Sequence, residues 1–248
     1  MKALILAAGY GTRLQSIAPS TAKPLLLFAG KSIVTHLLEK IKNFPDLKEI
    51  IVVTNDKFYK DFQRWVEHNK SFGIPLSAIN DGSKSNEDRL GSIGDIDFAL
   101  KAKKINEDLH VIGGDNLFDY SLDHFLDFAR KNIPHVTTGL YDIHDIGQAK
   151  KFGVVALDRY NKVVSFEEKP EKPKSSLIAM CLYYFPKSSL PFLGEYIRES
   201  KKADAAGGYI NWLYQKDTVF GFPFTGKWFD IGSVESYHEA QNYFQLNK

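Results

Sequence analysis

The 248-residue sequence has only one cysteine, Cys181. A single thiol rules out an intrachain disulfide and a cysteine-based metal site, and the shortage fits a reducing cytosol. Net charge is nearly absent as well: 32 basic and 30 acidic residues leave +2. No global nucleic-acid surface is expected, so affinity for anions has to come from local sites. Long apolar runs are missing. The stretch from Met1 to Leu14 is apolar only briefly before Gly9 and Arg13 interrupt it. That is too short for a signal-peptide core or a membrane span, and no later stretch is long enough to span a bilayer, so no membrane partner is expected. Repeats, low-complexity tracts and linkers are also lacking. What the chain does have is 44% hydrophobic residues, enough for a sizeable core. One α/β domain is expected at this length.

Continuous apolar runs at Ala3 to Ala7, Glu49 to Thr54 and Leu109 to Ile112 predict strands buried on both faces, with a further strand at Ile74 to Ile79. Between them, Ile33 to Ile41 carries apolar residues at helical spacing behind a Ser32 N-cap. Lys57 to Asn69, Ile93 to Lys101 and Leu122 to Arg130 also read as helices. Alternating strands and helices imply a parallel sheet with helices on both faces. Beyond about residue 132 the pattern changes. Val136 to Tyr141, Gly153 to Leu157, Val163 to Phe166 and Ile178 to Phe185 are closely spaced strands, with a hairpin turn at Asp158 to Asn161. Helices are expected at Ser188 to Ser200 and Val234 to Phe244. Tyr209 and Trp212, at helical spacing, read as core. The expected fold is a Rossmann-like, mixed and mostly parallel sheet with flanking helices. It has a nucleotide-binding half over about residues 1–132 and a second-substrate half over about 133–248.

Ligands of open α/β sheets bind beyond the carboxyl ends of the strands. Three polar motifs fall there: Gly9 to Arg13, Gly113 to Asn116, and the long loop from Asn80 to Gly94. In Ala8-Gly9-Tyr10-Gly11-Thr12-Arg13 the glycines let backbone N–H groups approach phosphate oxygens, and Arg13 adds a charged fork. Lys23 can add a second charge. Alone, the same pattern is equally that of a tight turn with a solvated arginine. Two better-known phosphate motifs fail. A dinucleotide fingerprint needs glycine where Leu14 stands, and a P-loop needs glycine at Leu25 to go with Gly30-Lys31-Ser32.

Leu6 to Leu14, followed by Lys23-Pro24-Leu25-Leu26, resembles the signature of the sugar-1-phosphate nucleotidyltransferases, most closely the glucose-1-phosphate thymidylyltransferase type. The resemblance continues in order through Gly114-Asp115-Asn116, Phe152-Gly153-Val154-Val155, Glu167-Glu168-Lys169-Pro170 and Trp228 to Ser233. It implies the GT-A-like nucleotidyltransferase fold, a Mg²⁺ cofactor, and two substrates: a nucleoside triphosphate and a sugar 1-phosphate. A homo-oligomer is the usual state of such relatives. Asp115 and Asp230 would be the metal ligands. Leu6, Ala8, Gly9, Gly11, Thr12, Arg13, Lys23, Asn80 and Gly91 would bind the nucleotide. Asn116, Gly153, Glu168 and Lys169 would bind the sugar phosphate. Arg13, Lys23, Asp115, Lys169 and Asp230 would carry the chemistry. Both substrates are highly anionic, so this residue set suits catalysis by positioning and charge neutralisation.

Several positions depart from the thymidylyltransferase pattern. Asn80 stands where glutamine is usual, Cys181 where glycine is usual, and Asp95 and Asp97 where small or neutral residues are more common. Asp204 to Tyr209 lacks an expected acidic and threonine pattern. No left-handed β-helix follows within the 248 residues, so an acetyl-transferring activity is not expected. For the base, dTTP or UTP is expected before CTP or GTP. The competing reaction class is a metal-dependent nucleotide-sugar glycosyltransferase, and a non-catalytic nucleotide-sugar sensor is the binding alternative.

Overall fold

Unbroken apolar runs give the central strands, and apolar residues at every third to fourth position give most of the helices. The computed structural model describes residues 1–14, 16–200 and 206–246. In chain order the elements are β1 (Lys2–Leu6), β2 (Leu27–Phe28), β3 (Lys31–Ser32), α1 (Ile33–Ile41), β4 (Ile50–Thr54), α2 (Tyr59–His68), β5 (Leu76–Asn80), α3 (Gly91–Ala102), β6 (Leu109–Gly113), β7 (Asn116–Phe118), α4 (Asp123–Lys131), β8 (Val136–Asp142), α5 (Ile146–Ala149), β9 (Gly153–Leu157), β10 (Val163–Glu168), β11 (Leu177–Phe185), α6 (Leu190–Glu199), α7 (Ala206–Leu213), β12 (Val219–Phe224), β13 (Trp228–Asp230) and α8 (Val234–Leu246). The chain forms two compact units. Unit 1 comprises Met1–Arg89, Ile112–Ser121 and Gly226–Lys248, and unit 2 comprises Leu90–Val111 and Leu122–Thr225.

In unit 1, β1 runs parallel to β4 and β4 parallel to β5. Every side chain of β4 is buried, as its unbroken apolar sequence requires. Ser32 caps α1, its hydroxyl accepting from the Thr35 amide. The inward face of α1 buries Ile33, Val34, Leu37, Leu38 and Ile41, worth about 1.5–3 kcal/mol each. A separate antiparallel pair, β7 with β13, sets Asp230 opposite Asn116. One apolar cluster contains Leu14, Leu26, Leu117, Phe229 and Ile231. These are chain neighbours of Arg13, Lys23, Asp115 and Asp230, so a single core anchors all four polar positions.

Unit 2 is mixed. β8 pairs antiparallel with β11 and parallel with β12, and β9 forms a hairpin with β10. The hairpin turns at the expected place: the Asp158 carboxylate accepts from the amides of Tyr160 and Lys162, and Asn161 takes a left-handed φ of 63°. On α4, Phe125 packs against Phe222 and Phe224 of β12, with ring centroids 5.9 and 5.8 Å away. Tyr209 of α7 is fully buried, with its ring 5.4 Å from Tyr196 and 6.0 Å from Trp212.

The expected α/β class holds, with parallel pairing of β1, β4 and β5 in unit 1 and mixed pairing in unit 2. Some elements escape the sequence patterns. β12 carries Gly221 and Pro223, which obscure its strand period, and α7 opens on Gly207-Gly208, which weakens its helix propensity. α3 starts two residues earlier than its apolar spacing suggests, because Gly91, at φ 76°, turns the chain into the helix. Asp204 and Ala205 lie outside the described residues.

Candidate active site

β1 delivers the chain into the glycine-rich turn, and the turn is pinned at both ends. The Leu6 carbonyl accepts from the Gly114 amide at 2.8 Å. A Cβ on Gly114 would stand 2.7 Å from that carbonyl oxygen and 2.9 Å from Cγ of Pro24, so these segments meet only because residue 114 has no side chain. The buried Ala8 offers its carbonyl to the side-chain amide of Asn55 at 2.9 Å. Asn55 is itself fully buried and also accepts from the Phe58 amide. Farther on, the Gly11 carbonyl accepts from Leu14. Between these anchors Gly9 faces open space, and Thr12 and Arg13 are exposed. Gly11 takes φ 61°, and a Cβ there would stand 3.3 Å from Cγ of Lys23.

Lys23 therefore lies against the turn, and its ammonium reaches Oδ2 of Asp115 at 3.1 Å. The backbone ties Asp115 to the second aspartate: the Ile231 amide donates to the Asp115 carbonyl at 3.0 Å. Burial pushes the Asp230 carboxyl up to about 6; the like charge of Asp115 adds to the rise, and Lys23 and Arg13 oppose it. The position a Cβ of Gly232 would take is 3.6 Å from both Nη2 of Arg13 and Oδ2 of Asp230. Four charged side chains from separate chain segments thus converge within unit 1.

The donor chemistry suits Mg²⁺. Two neighbouring carboxylates are hard oxygen donors, and their mutual repulsion calls for a cation. Among the described residues no group of three or more His, Cys, Asp or Glu could hold a metal ion. Asp115 and Asp230 would then serve as a partial ligand set, with phosphate and water oxygens completing it. The side chain of the buried Asn116 is engaged within the fold. It accepts from Trp228 Nε1 at 2.7 Å and donates to the Gly113 carbonyl at 3.1 Å, which braces the turn that carries Asp115.

The remaining sugar-phosphate candidates lie in unit 2. Gly153 pairs with Glu168 across the β9–β10 ladder. Lys169 follows with a left-handed φ of 47°, its amide donating to the Phe152 carbonyl. Such a φ is costly for a lysine and fixes the direction in which the side chain leaves the strand. Its ammonium lies 3.8 Å from Oε1 of Glu168. Burial raises the Glu168 carboxyl above its ordinary value, and Lys169 partly offsets this. Cys181 is half-buried on β11, where the pairing with β8 loses register between Ala179 and Tyr183.

The loop after β5 is built largely from its own side chains. Asn80 donates to Asp56 and accepts from the Gly82 amide, so both ends of its side-chain amide are engaged. Asp81 accepts from Ser83, Asp88 accepts from the amides of Lys84 and Ser85, and Arg89 donates to the Asn86 carbonyl. Gly91 sits at the start of α3. Asp95 is buried, whereas Asp97 pairs with Lys101 one helical turn on. Asn55 was not among the expected site residues; a polar residue directly after a fully buried strand was the available signal.

The nucleotidyl transferase family model matches residues 2–246. The chain belongs to that family. Among curated relatives, the bifunctional protein GlmU of Methanocaldococcus jannaschii is 27% identical over 244 residues, covering 98% of this chain and 54% of GlmU. This nucleotidyl transferase family member thus spans about half the length of that relative. Its fold is also that of a candidate glucose-1-phosphate thymidylyltransferase from Bacillus anthracis, solved in complex with sucrose. The two share 24% identity at a TM-score of 0.84, over 99% of this chain and 95% of that one. A UDP-glucose pyrophosphorylase complexed with UDP-glucose superposes with a TM-score of 0.82 at 21% identity, over 100% of this chain and 99% of that one.

Proposed function

We propose that this family member transfers a nucleotidyl group from a nucleoside triphosphate to a sugar 1-phosphate. The observation that carries this reading is the convergence of Arg13, Lys23, Asp115 and Asp230 beside the glycine-rich turn. An oxygen of the sugar phosphate attacks the α-phosphorus, the bond to the β-phosphate oxygen breaks, and pyrophosphate leaves. The attacking phosphate is already ionised near neutral pH, so no general base is needed. Exposed backbone N–H groups of the turn and Arg13 take the outer phosphates, and Lys23 neutralises charge nearer the α-phosphate. Mg²⁺ held by Asp115 and Asp230 would supply further charge neutralisation on the phosphate oxygens. Lys169 would meet the charge of the sugar phosphate, and Glu168 would accept from sugar hydroxyls.

The preferred base is a pyrimidine, in dTTP or UTP, and the working compartment is the cytosol. No helix among the described residues is long and apolar enough to cross a membrane. A matrix of common triphosphates against common sugar 1-phosphates, read by pyrophosphate release with and without Mg²⁺, tests the proposal. Release that requires both substrates and the metal is expected. Release of free nucleoside diphosphate from a nucleotide sugar, with no pyrophosphate from any pair, would overturn it in favour of glycosyl transfer.

A further inference from the structure

Two glycines wall in the carboxylate of Glu168. A Cβ on Gly153 would stand 3.1 Å from Oε2 of Glu168 and 2.4 Å from Cζ of Phe166. A Cβ on Gly207, in the first turn of α7, would stand 1.9 Å from that same Oε2, 2.8 Å from Cδ and 3.3 Å from Cζ of Phe166. At such distances a side chain at 207 would have to displace the carboxylate, which packs on the bare backbone of α7. The buried ring of Phe166 fills the remaining space. The other oxygen, Oε1, lies towards Lys169. The two oxygens are therefore inequivalent: Oε2 is enclosed between two glycines, and Oε1 is on the side of the cation.

We propose that Gly207 is a positioning residue for sugar recognition, its missing side chain letting α7 close on Glu168 so that Oε1 alone is presented to a sugar hydroxyl. This rests on the reading of Glu168 as the acceptor of sugar hydroxyls. One fixed acceptor discriminates between sugars that differ in a single hydroxyl, because the wrong epimer leaves a desolvated oxygen without a donor. A methyl group at position 207 would push the carboxylate away and blunt that discrimination. Shortening Glu168 by one methylene would make room for the methyl.

The test is steady-state kinetics of the full chain carrying Gly207→Ala, Glu168→Gln, or Gly207→Ala together with Glu168→Asp. Thermal midpoints are recorded for each variant. Gly207→Ala is expected to raise KM for the preferred sugar 1-phosphate by about tenfold or more while KM for the triphosphate stays within about twofold. The preference for one sugar epimer over the other should shrink. In the double variant part of the lost sugar affinity should return, which loss of stability alone would not produce. An unchanged sugar KM in Gly207→Ala, with Glu168→Gln raising it, overturns the inference and leaves the role of Glu168 intact. So does a parallel rise in both KM values, or a double variant no better than Gly207→Ala. An unchanged sugar KM in Glu168→Gln overturns the underlying reading of Glu168, and with it the inference.

Discussion

Asp230→Asn should stabilise the metal-free protein while abolishing its activity. The Asp230 carboxyl is raised from 3.8 to about 6 by burial and by the charge of Asp115, against the pull of Lys23 and Arg13. A carboxyl whose folded value exceeds its unfolded value binds more protons when folded across that interval. The metal-free protein therefore loses stability as pH rises from about 4 to about 6, and the loss stays in full above that range. At about 1.4 kcal/mol per pH unit the full loss is about 3 kcal/mol. Asparagine keeps the shape without the charge. In urea unfolding with a chelator present, the variant should exceed the wild type by up to about 3 kcal/mol at pH 8 and match it near pH 4. Added Mg²⁺ should raise the wild-type midpoint and leave the variant's in place, since only the wild type has both carboxylates to bind it. A variant less stable than wild type at pH 8 in chelator would refute the reasoning. It would mean that attraction from Lys23 and Arg13 outweighs burial and the repulsion from Asp115.

Asp115→Asn should leave the fold intact and lower kcat by about a thousandfold or more, measured as pyrophosphate release; normal turnover would sink the metal assignment. Asn55→Ala removes the donor to the Ala8 carbonyl and the acceptor for the Phe58 amide. It should cost about 2–4 kcal/mol in denaturant unfolding and raise KM for the triphosphate, because one end of the glycine-rich turn is freed. Glu168 should be ionised to accept from a hydroxyl, and burial raises its carboxyl above the ordinary value. KM for the sugar 1-phosphate should therefore rise on acidification at a pH above that of a solvated glutamate. That acid limb should be absent in Glu168→Gln.

Where one local force dominates, the fold was legible in the sequence. The unbroken apolar run of β4 and the Ser32 cap of α1 each admit a single reading, and both elements form as expected. Two of the misses have a common cause: residues whose local preference is overruled by tertiary contact. Pro223 is tolerated in β12 because the strand's ladder is with β8 and its other side meets Lys162 by an isolated bridge at Phe220, and Gly207 sits in a helix where a side chain would have to displace the Glu168 carboxylate. The β7–β13 pair is three residues long on each strand, too short to show a period, yet it aligns Asp230 with Asn116.

The motif order in the sequence reached the charged residues of the proposed site, but not what holds them in place. Asn55, Trp228 and Gly207 have no charge; Asn55 and Gly207 have no motif of their own, and Trp228 opens a motif without being among the expected site residues. Their contribution is a hydrogen bond to a backbone carbonyl, a hydrogen bond to Asn116, and an absence of volume. Three departures from an easily folded arrangement fall on motif residues: the left-handed backbone of Lys169, the half-buried Asp230 carboxyl beside Asp115, and the enclosed carboxylate of Glu168. Each costs folding free energy, and each would be relieved by a substitution that stability alone would favour. Their presence at the positions proposed for phosphate, metal and sugar is what sites that pre-pay for ligand binding look like. It also accounts for the expected sign of Asp230→Asn, since a variant that drops the charge should give up catalysis and recover stability.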